Sequence, residues 1–87
     1  MVIQSPRATT ASADELLAHV ATLRADADLM DGYARRLLAT AATLSGCPVA
    51  PEWSRPALER QATACTTAAR QLRTAAEALD THTRARN

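Results

Sequence analysis

The sequence contains no lysine and no phenylalanine, and Tyr33 and Trp53 are its only aromatic residues among 87. All ten basic residues are arginines, and the formal net charge is only +1. This near-neutral balance gives no indication of a nucleic-acid partner or of binding to a membrane surface. The sequence also lacks any run of about 18 apolar residues, so we expect no membrane insertion.

Signals for export and for metal binding are also lacking. Residues 1–11 hold no apolar stretch long enough for the centre of a signal peptide, so we expect no general secretory export and a cytoplasmic location before any export by another route. His19 and His82 each stand alone in the sequence, without cysteine or carboxylate at ligand spacing, and we expect no metal and no cofactor. Cys47 and Cys65 would lie about 15 Å apart on straight helices, too far for a disulfide.

What the sequence does contain is an apolar heptad, present in two copies that are separated by a segment with glycine and proline. Spacings of four and three residues alternate without a slip, which predicts helices that pack along one seam. Large residues occupy one heptad position and small ones the other, so two helix backbones can approach closely. The predicted hairpin seam comprises Leu16, Val20, Leu23, Ala27, Met30, Ala34, Leu37, Ala41 and Leu44 in the first copy, and Leu58, Ala62, Cys65, Ala69, Leu72, Ala76 and Leu79 in the second.

These patterns predict one all-α domain, an antiparallel two-helix hairpin over residues 12–83. A capping box that begins at Ser12 would start the first helix (12–45), and Gly46 would end it in a left-handed conformation. The turn would span 46–54, and the second helix 55–82, with Ser54 or Arg55 as its cap. We expect a flexible segment at 1–11 and a frayed tail at 83–87. Along the seam, Leu23, Met30 and Leu37 would face Leu58, Cys65 and Leu72.

Charge is divided between the two predicted helices. Residues 14–45 carry five carboxylates against three arginines, and residues 55–86 carry six arginines against three carboxylates. The two helices should therefore attract each other, or their counterparts in a second molecule.

The first helix has more apolar surface than one hairpin can cover. Two helices of this size bury too little surface to offset the entropy of the chain, which indicates a dimer, most simply a four-helix bundle. The candidate partner interface combines large apolar residues outside the seam with a stripe of small residues: Leu17, Ala18, Ala25, Leu29, Gly32, Tyr33, Leu38 and Ala39.

The turn carries a family resemblance. Residues 52–58 read Glu-Trp-Ser-Arg-Pro-Ala-Leu, with Trp53, Ser54 and Arg55 at the turn, and the alanine and leucine heptads follow. This segment, the length and the helix count resemble the small WXG-type helical-hairpin proteins of type VII secretion systems. The sequence departs from the family in two places, because the glycine of the Trp-x-Gly motif is missing and no tyrosine-based export signal follows the second helix.

The resemblance implies a homodimer, or a heterodimer with a related hairpin or with the N-terminal domain of an effector. Such a protein is secreted by a type VII system or escorts a secreted partner, and it is not an enzyme. Trp53 would pack into the end of the bundle or be presented to the secretion machinery, whereas on physical grounds alone it would cover the open end of the hairpin.

Two alternatives remain from the sequence. The first is a regulatory or antitoxin-like helical dimerisation module without a role in secretion. The second, more distant, is an enzyme, because the segment around Arg24 resembles the first helix of the all-helical chorismate mutases. Their second basic residue on that helix corresponds to Ala41 here, and only one helix follows the turn instead of two.

Overall fold

A computed structural model describes residues 6–86 and contains two helices, α1 (Pro6–Ser45) and α2 (Ser54–Arg86). No strand occurs in this part of the chain, and the two helices pack against each other along a rod of 70 × 20 × 18 Å. The predicted all-α antiparallel hairpin is therefore confirmed.

The first helix begins earlier than the sequence indicated. It starts at Pro6, so Ser12 lies inside the helix and residues 12–15 do not form its N-terminal cap. A proline is tolerated in the first helical turn because its missing N–H would have no partner there. Residues 6–11 of the segment predicted to be flexible are thus helical, while residues 1–5 and Asn87 lie outside the described residues.

The end of α1 is formed differently from the prediction for Gly46. No residue in the described range has a positive φ, so Gly46 does not adopt the left-handed conformation. Instead, the Gly46 N–H donates to the Thr43 carbonyl at 3.2 Å, and the Cys47 N–H donates to the Leu44 carbonyl at 3.0 Å. The last turn therefore tightens into bonds across three residues, which satisfy terminal carbonyl groups without a left-handed residue.

The second helix begins at the residue after Trp53. The Trp53 carbonyl accepts the first helical hydrogen bond, from the Ala57 N–H at 3.1 Å, so Trp53 occupies the cap position predicted for Ser54 or Arg55. Ser54 turns inward and is buried, whereas Trp53 is 70% exposed. The indole therefore does not cover the open end of the hairpin.

The second helix, α2, extends beyond the predicted boundary at residue 82. The helix continues to Arg86, and Thr83 is only 2% exposed. Its hydroxyl donates to the Leu79 carbonyl at 2.8 Å, which satisfies the polar group in a buried position. Because Thr83 follows Ala76 by seven residues, it extends the small-residue row of the seam by one heptad.

Gly32, in the middle of α1, is not required by the backbone or by packing within the hairpin. A Cβ atom at this position would meet only the Arg35 Nη2 atom, at 3.8 Å, which is an ordinary contact. Glycine in a helix interior costs about 1 kcal/mol relative to alanine.

We therefore expect Gly32→Ala to stabilise the protein by about 1 kcal/mol and to raise Tm by roughly 4–8 °C. Ala25→Gly, at the equivalent position one heptad earlier, should lower stability by a similar amount. Thermal unfolding followed by circular dichroism measures both changes. A lower Tm for Gly32→Ala would instead show that a close partner helix crosses at Gly32.

Candidate protein interaction surface

The core of the hairpin is a double row of small side chains. Among the described residues, the buried hydrophobic side chains are those of the small seam position, each at most 5% exposed: Val20, Ala27, Ala34, Ala41, Ala62, Ala69 and Ala76. The large seam residues are only partly buried in every case. The two backbones thus approach along the alanines, and the leucines lie beside the contact rather than at its centre.

Ion pairs between the helices fix which residues lie at the same level. The Arg73 Nη2 atom lies 2.8 Å from Asp28 Oδ1 and 2.7 Å from Asp31 Oδ2. Nearer the free ends of the helices, the Arg24 Nη2 atom lies 3.5 Å from Asp80 Oδ2. The attraction predicted between the acidic and the basic helix therefore acts within one chain.

This register places the small residues in matched layers. Since each step of seven along α1 corresponds to seven back along α2, the layers pair Val20 with Thr83, Ala27 with Ala76, Ala34 with Ala69, and Ala41 with Ala62. The same register corrects part of the expected pairing of large residues. Met30 lies level with Leu72 and Leu37 with Cys65, but Leu23 lies level with Leu79, and Leu58 with Leu44.

The residues beside the small row divide the hairpin into two unlike edges. In an α-helix a step of three residues turns the side chain to about 60° on one side of the starting residue, and a step of four turns it to about 40° on the other. Three residues after each small seam residue stands a large apolar residue or Cys65. Four residues after four of the seven small positions stand charged residues, Arg24 and Asp31 on α1 and Arg73 and Asp80 on α2. The other three are followed at this spacing by Leu38, Ser45 and Thr66.

The edge with these four charged residues, here called the charged edge, is internally paired. The hydrogen bond with Asp31, followed by the one with Asp28, raises the pKa of the Arg73 guanidinium above its ordinary value. Asp80 also accepts a hydrogen bond from Arg84 Nε at 2.9 Å. Exposed pairs of this kind contribute about 0–1 kcal/mol each, so they show which residues lie at the same level and stabilise this register only modestly.

The opposite edge, here called the apolar edge, leaves its side chains partly open to solvent. It consists of the large seam residues of both helices: Leu16, Leu23, Met30, Leu37, Leu44, Leu58, Cys65, Leu72 and Leu79. Both cysteines of the chain are free thiols, and Cys65 is part of this edge. None of the nine residues carries a charge, so the edge has the composition of a protein contact.

The candidate partner interface from the sequence does not form one continuous surface. Leu29 and Tyr33, which are 55% and 42% exposed, stand one turn apart and widen the apolar edge on its α1 side. Leu38, 50% exposed, follows Ala34 by four residues and so lies along the charged edge, as does Leu17. The small residues of the stripe point away from α2: Ala18, Ala25, Gly32 and Ala39.

The sequence pattern identified the seam but did not separate these two edges. The sequence did contain a pattern that distinguishes the edges. The residues that follow Val20 and Ala27 by four positions are charged, and so are those that follow Ala69 and Ala76 by four positions on the facing helix. The large seam residues were interpreted as the centre of the helix contact, although only the small ones are fully buried.

The tip of the hairpin forms a second exposed apolar region. Val49 is 88% exposed and Trp53 is 70% exposed, and both lie where the chain reverses between the helices. Arg55 and Glu59 form an ion pair at 3.8 Å at the start of α2, beside this tip. A shallow cleft of about 240 Å³ lies at its base, lined by Leu44, Cys47 and Arg55 among others.

The rod exposes far more surface than a compact protein of its mass. Its accessible surface is 6600 Å², whereas a compact monomer of 9.3 kDa exposes about 5000 Å². The difference of about 1600 Å² is larger than the roughly 800 Å² that each partner loses in a standard protein interface.

Comparison of the chain with protein-family models, curated proteins and solved structures finds no match. Neither helix, over the described residues, is long and apolar enough to cross a membrane.

The small-residue row should not accept larger side chains. Ala34→Leu or Ala69→Leu would place a branched side chain between the closest backbones, and overpacking of this kind costs about 1–3 kcal/mol. Thr74→Leu, at an exposed position of α2, should change stability by less than about 0.5 kcal/mol. Thr67, two turns earlier on α2, is partly buried, so Thr74 is the better control.

Thermal melts of the three variants measure these differences. If Ala34→Leu and Ala69→Leu are as stable as Thr74→Leu, the small row does not form the closest contact between the helices.

Proposed function

We propose that this protein is a non-enzymatic protein interaction module that acts by dimerising into a helical bundle. The observation that carries the proposal is the uncharged, partly exposed apolar edge, which runs along both helices while the charges pair with one another on the opposite edge. A continuous apolar surface of this kind is typical of a site for another protein.

We further propose that the module serves a type VII secretion system, either as a substrate or as the escort of a secreted effector. The support is the resemblance of the two long helices and of the turn with Trp53 to the WXG-type hairpins. The exposed indole adds to this support, because a tryptophan that is open to solvent at the tip can contact a further protein without disturbing the hairpin.

An export assay in the source organism tests this function. The tagged protein, or an effector that co-purifies with it, should reach the culture medium in the parent strain and remain in the cells of a strain without the secretion ATPase. Retention of both proteins in both strains, or equal release from both, would contradict a role in secretion.

Trp53→Ala should reduce that export at least tenfold without changing Tm, since the side chain is mostly exposed. Val49→Ala is the matched control, because Val49 lies at the same tip and is exposed to a greater extent. Equal export of the Trp53→Ala variant and the parent protein would exclude recognition through the indole.

A further inference from the structure

We propose that the apolar edge binds a second copy of this chain, with α1 of each copy packed on α2 of the other. The inference rests on the proposed function only in that both require a helical bundle. It adds the identity of the partner and the surface by which it binds. That surface is the apolar edge, widened by Leu29 and Tyr33, and not the outer stripe of small residues on α1.

The first argument is the shape of the two sides of the apolar edge. On α1 the edge is flanked by the protruding side chains of Leu29 and Tyr33. On α2 the residues three after Cys65 and Leu72 are Ala68 and Ala75, which leave a shallow surface. A two-fold axis parallel to the rod places the protruding side of each copy on the shallow side of the other, so the same contact forms twice in one symmetric interface.

The level of these residues along the rod supports the same pairing. Leu29 lies near the middle of the hairpin and, from the register of the ion pairs, level with residues 74–75 of α2. A two-fold axis parallel to the rod keeps this level and places α1 of each copy on α2 of the other. It therefore brings Leu29 of one copy close to Ala75 of the other, whereas an axis across the rod would place α1 on α1.

Charge also permits a second copy on this edge. The flanking row of α2, three residues after each large seam residue, contains Gln61, Ala68, Ala75 and His82 and has no carboxylate or arginine. The equivalent row of α1 carries one carboxylate, Asp26, and Arg36 beside it is held over the Tyr33 ring at 4.8 Å. No row of like charges would oppose association, whereas the charged edge is already neutralised within each chain.

The exposed area matches what a stable dimer needs. The surface in excess of a compact monomer, about 1600 Å² per chain, would bury about 3200 Å² in a pair if all of it were covered. Permanent homodimers bury about 2000–5000 Å² in total. A pair of hairpins that covers about two thirds of this excess would already reach the size of a permanent homodimer interface.

Sedimentation equilibrium of the full chain tests the proposal first. The parent protein should be a dimer at 20 µM, and Ala75→Arg should raise the dimer Kd at least tenfold by placing a cation in the apolar contact. Ala21→Arg makes the same change at an exposed position of α1 on the charged side, and it should remain as dimeric as the parent. A parent protein that is a folded monomer at 100 µM, or equal effects of the two variants, would overturn the proposal.

A mixing experiment excludes simple misfolding as the cause. Leu29→Glu alone and Ala75→Arg alone should each associate weakly. An equimolar mixture of the two variants should form a heterodimer, because the carboxylate introduced in one chain then faces the guanidinium introduced in the other. Failure of the mixture to associate more tightly than either variant alone would contradict the assigned pairing.

The same measurements separate this proposal from the proposed function. A parent chain that remains monomeric but forms a 1:1 complex with a co-expressed hairpin from a neighbouring gene would overturn the second-copy proposal and leave the interaction module intact. Dimerisation through the apolar edge without any secretion phenotype would support this inference and contradict the role in export.

Discussion

The close approach of two helices along a row of alanines is the contact on which the structure depends. Alanine buries little apolar surface, at about 25 cal/mol per Å², so the row contributes through its shape more than through its own burial. With only methyl groups at three of the four layers, the two backbones and the adjacent side chains come within van der Waals distance. The contact accommodates alanine, valine and a threonine whose hydroxyl group is hydrogen-bonded, and we expect a leucine to overpack it.

The separation of the two edges follows from this contact. When the small residues occupy the centre, the large seam residues move to one side and the residues four after each small position move to the other. On the charged edge, Arg73 between Asp28 and Asp31 selects one register, since a shift by one heptad would move its partners by about 10 Å. On the apolar edge the large seam residues are only partly covered within the described part of the chain, so the surface left open to a partner is a consequence of how the hairpin packs.

The sequence predicted the fold well because its strongest signal, an unbroken heptad, is also the feature that organises the structure. The seam, the position of the turn and the attraction between the helices could all be inferred from spacing and charge. The helix ends were predicted less well. Ser12 had the residues of a capping box but lies within α1, and Gly46 ends the helix without a left-handed conformation.

The exposed face was the least predictable part. Large residues outside the seam indicated a partner, but a list of such residues does not state which of them share a side of the hairpin. Which residues share a side depends on which side chains lie at the centre of the helix contact. With the alanines at the centre instead of the leucines, Leu38 lies along the charged edge, whereas Leu29 and Tyr33 lie beside the apolar edge. The exposure of Trp53 could not be predicted from the sequence either. It arises because the Ser54 side chain, and not the indole, turns inward at the start of α2.

An intrachain disulfide across the small row tests the close helix contact most directly. In a chain with Cys47→Ser and Cys65→Ser, the pair Ala34→Cys and Ala69→Cys should oxidise to a monomeric cross-linked species, since a disulfide requires Cα atoms within about 7 Å. The pair Ala34→Cys and Ala76→Cys, one heptad out of register, should remain reduced within the monomer. Equal or preferential cross-linking of the second pair would contradict both the register and the alanine contact proposed for this hairpin.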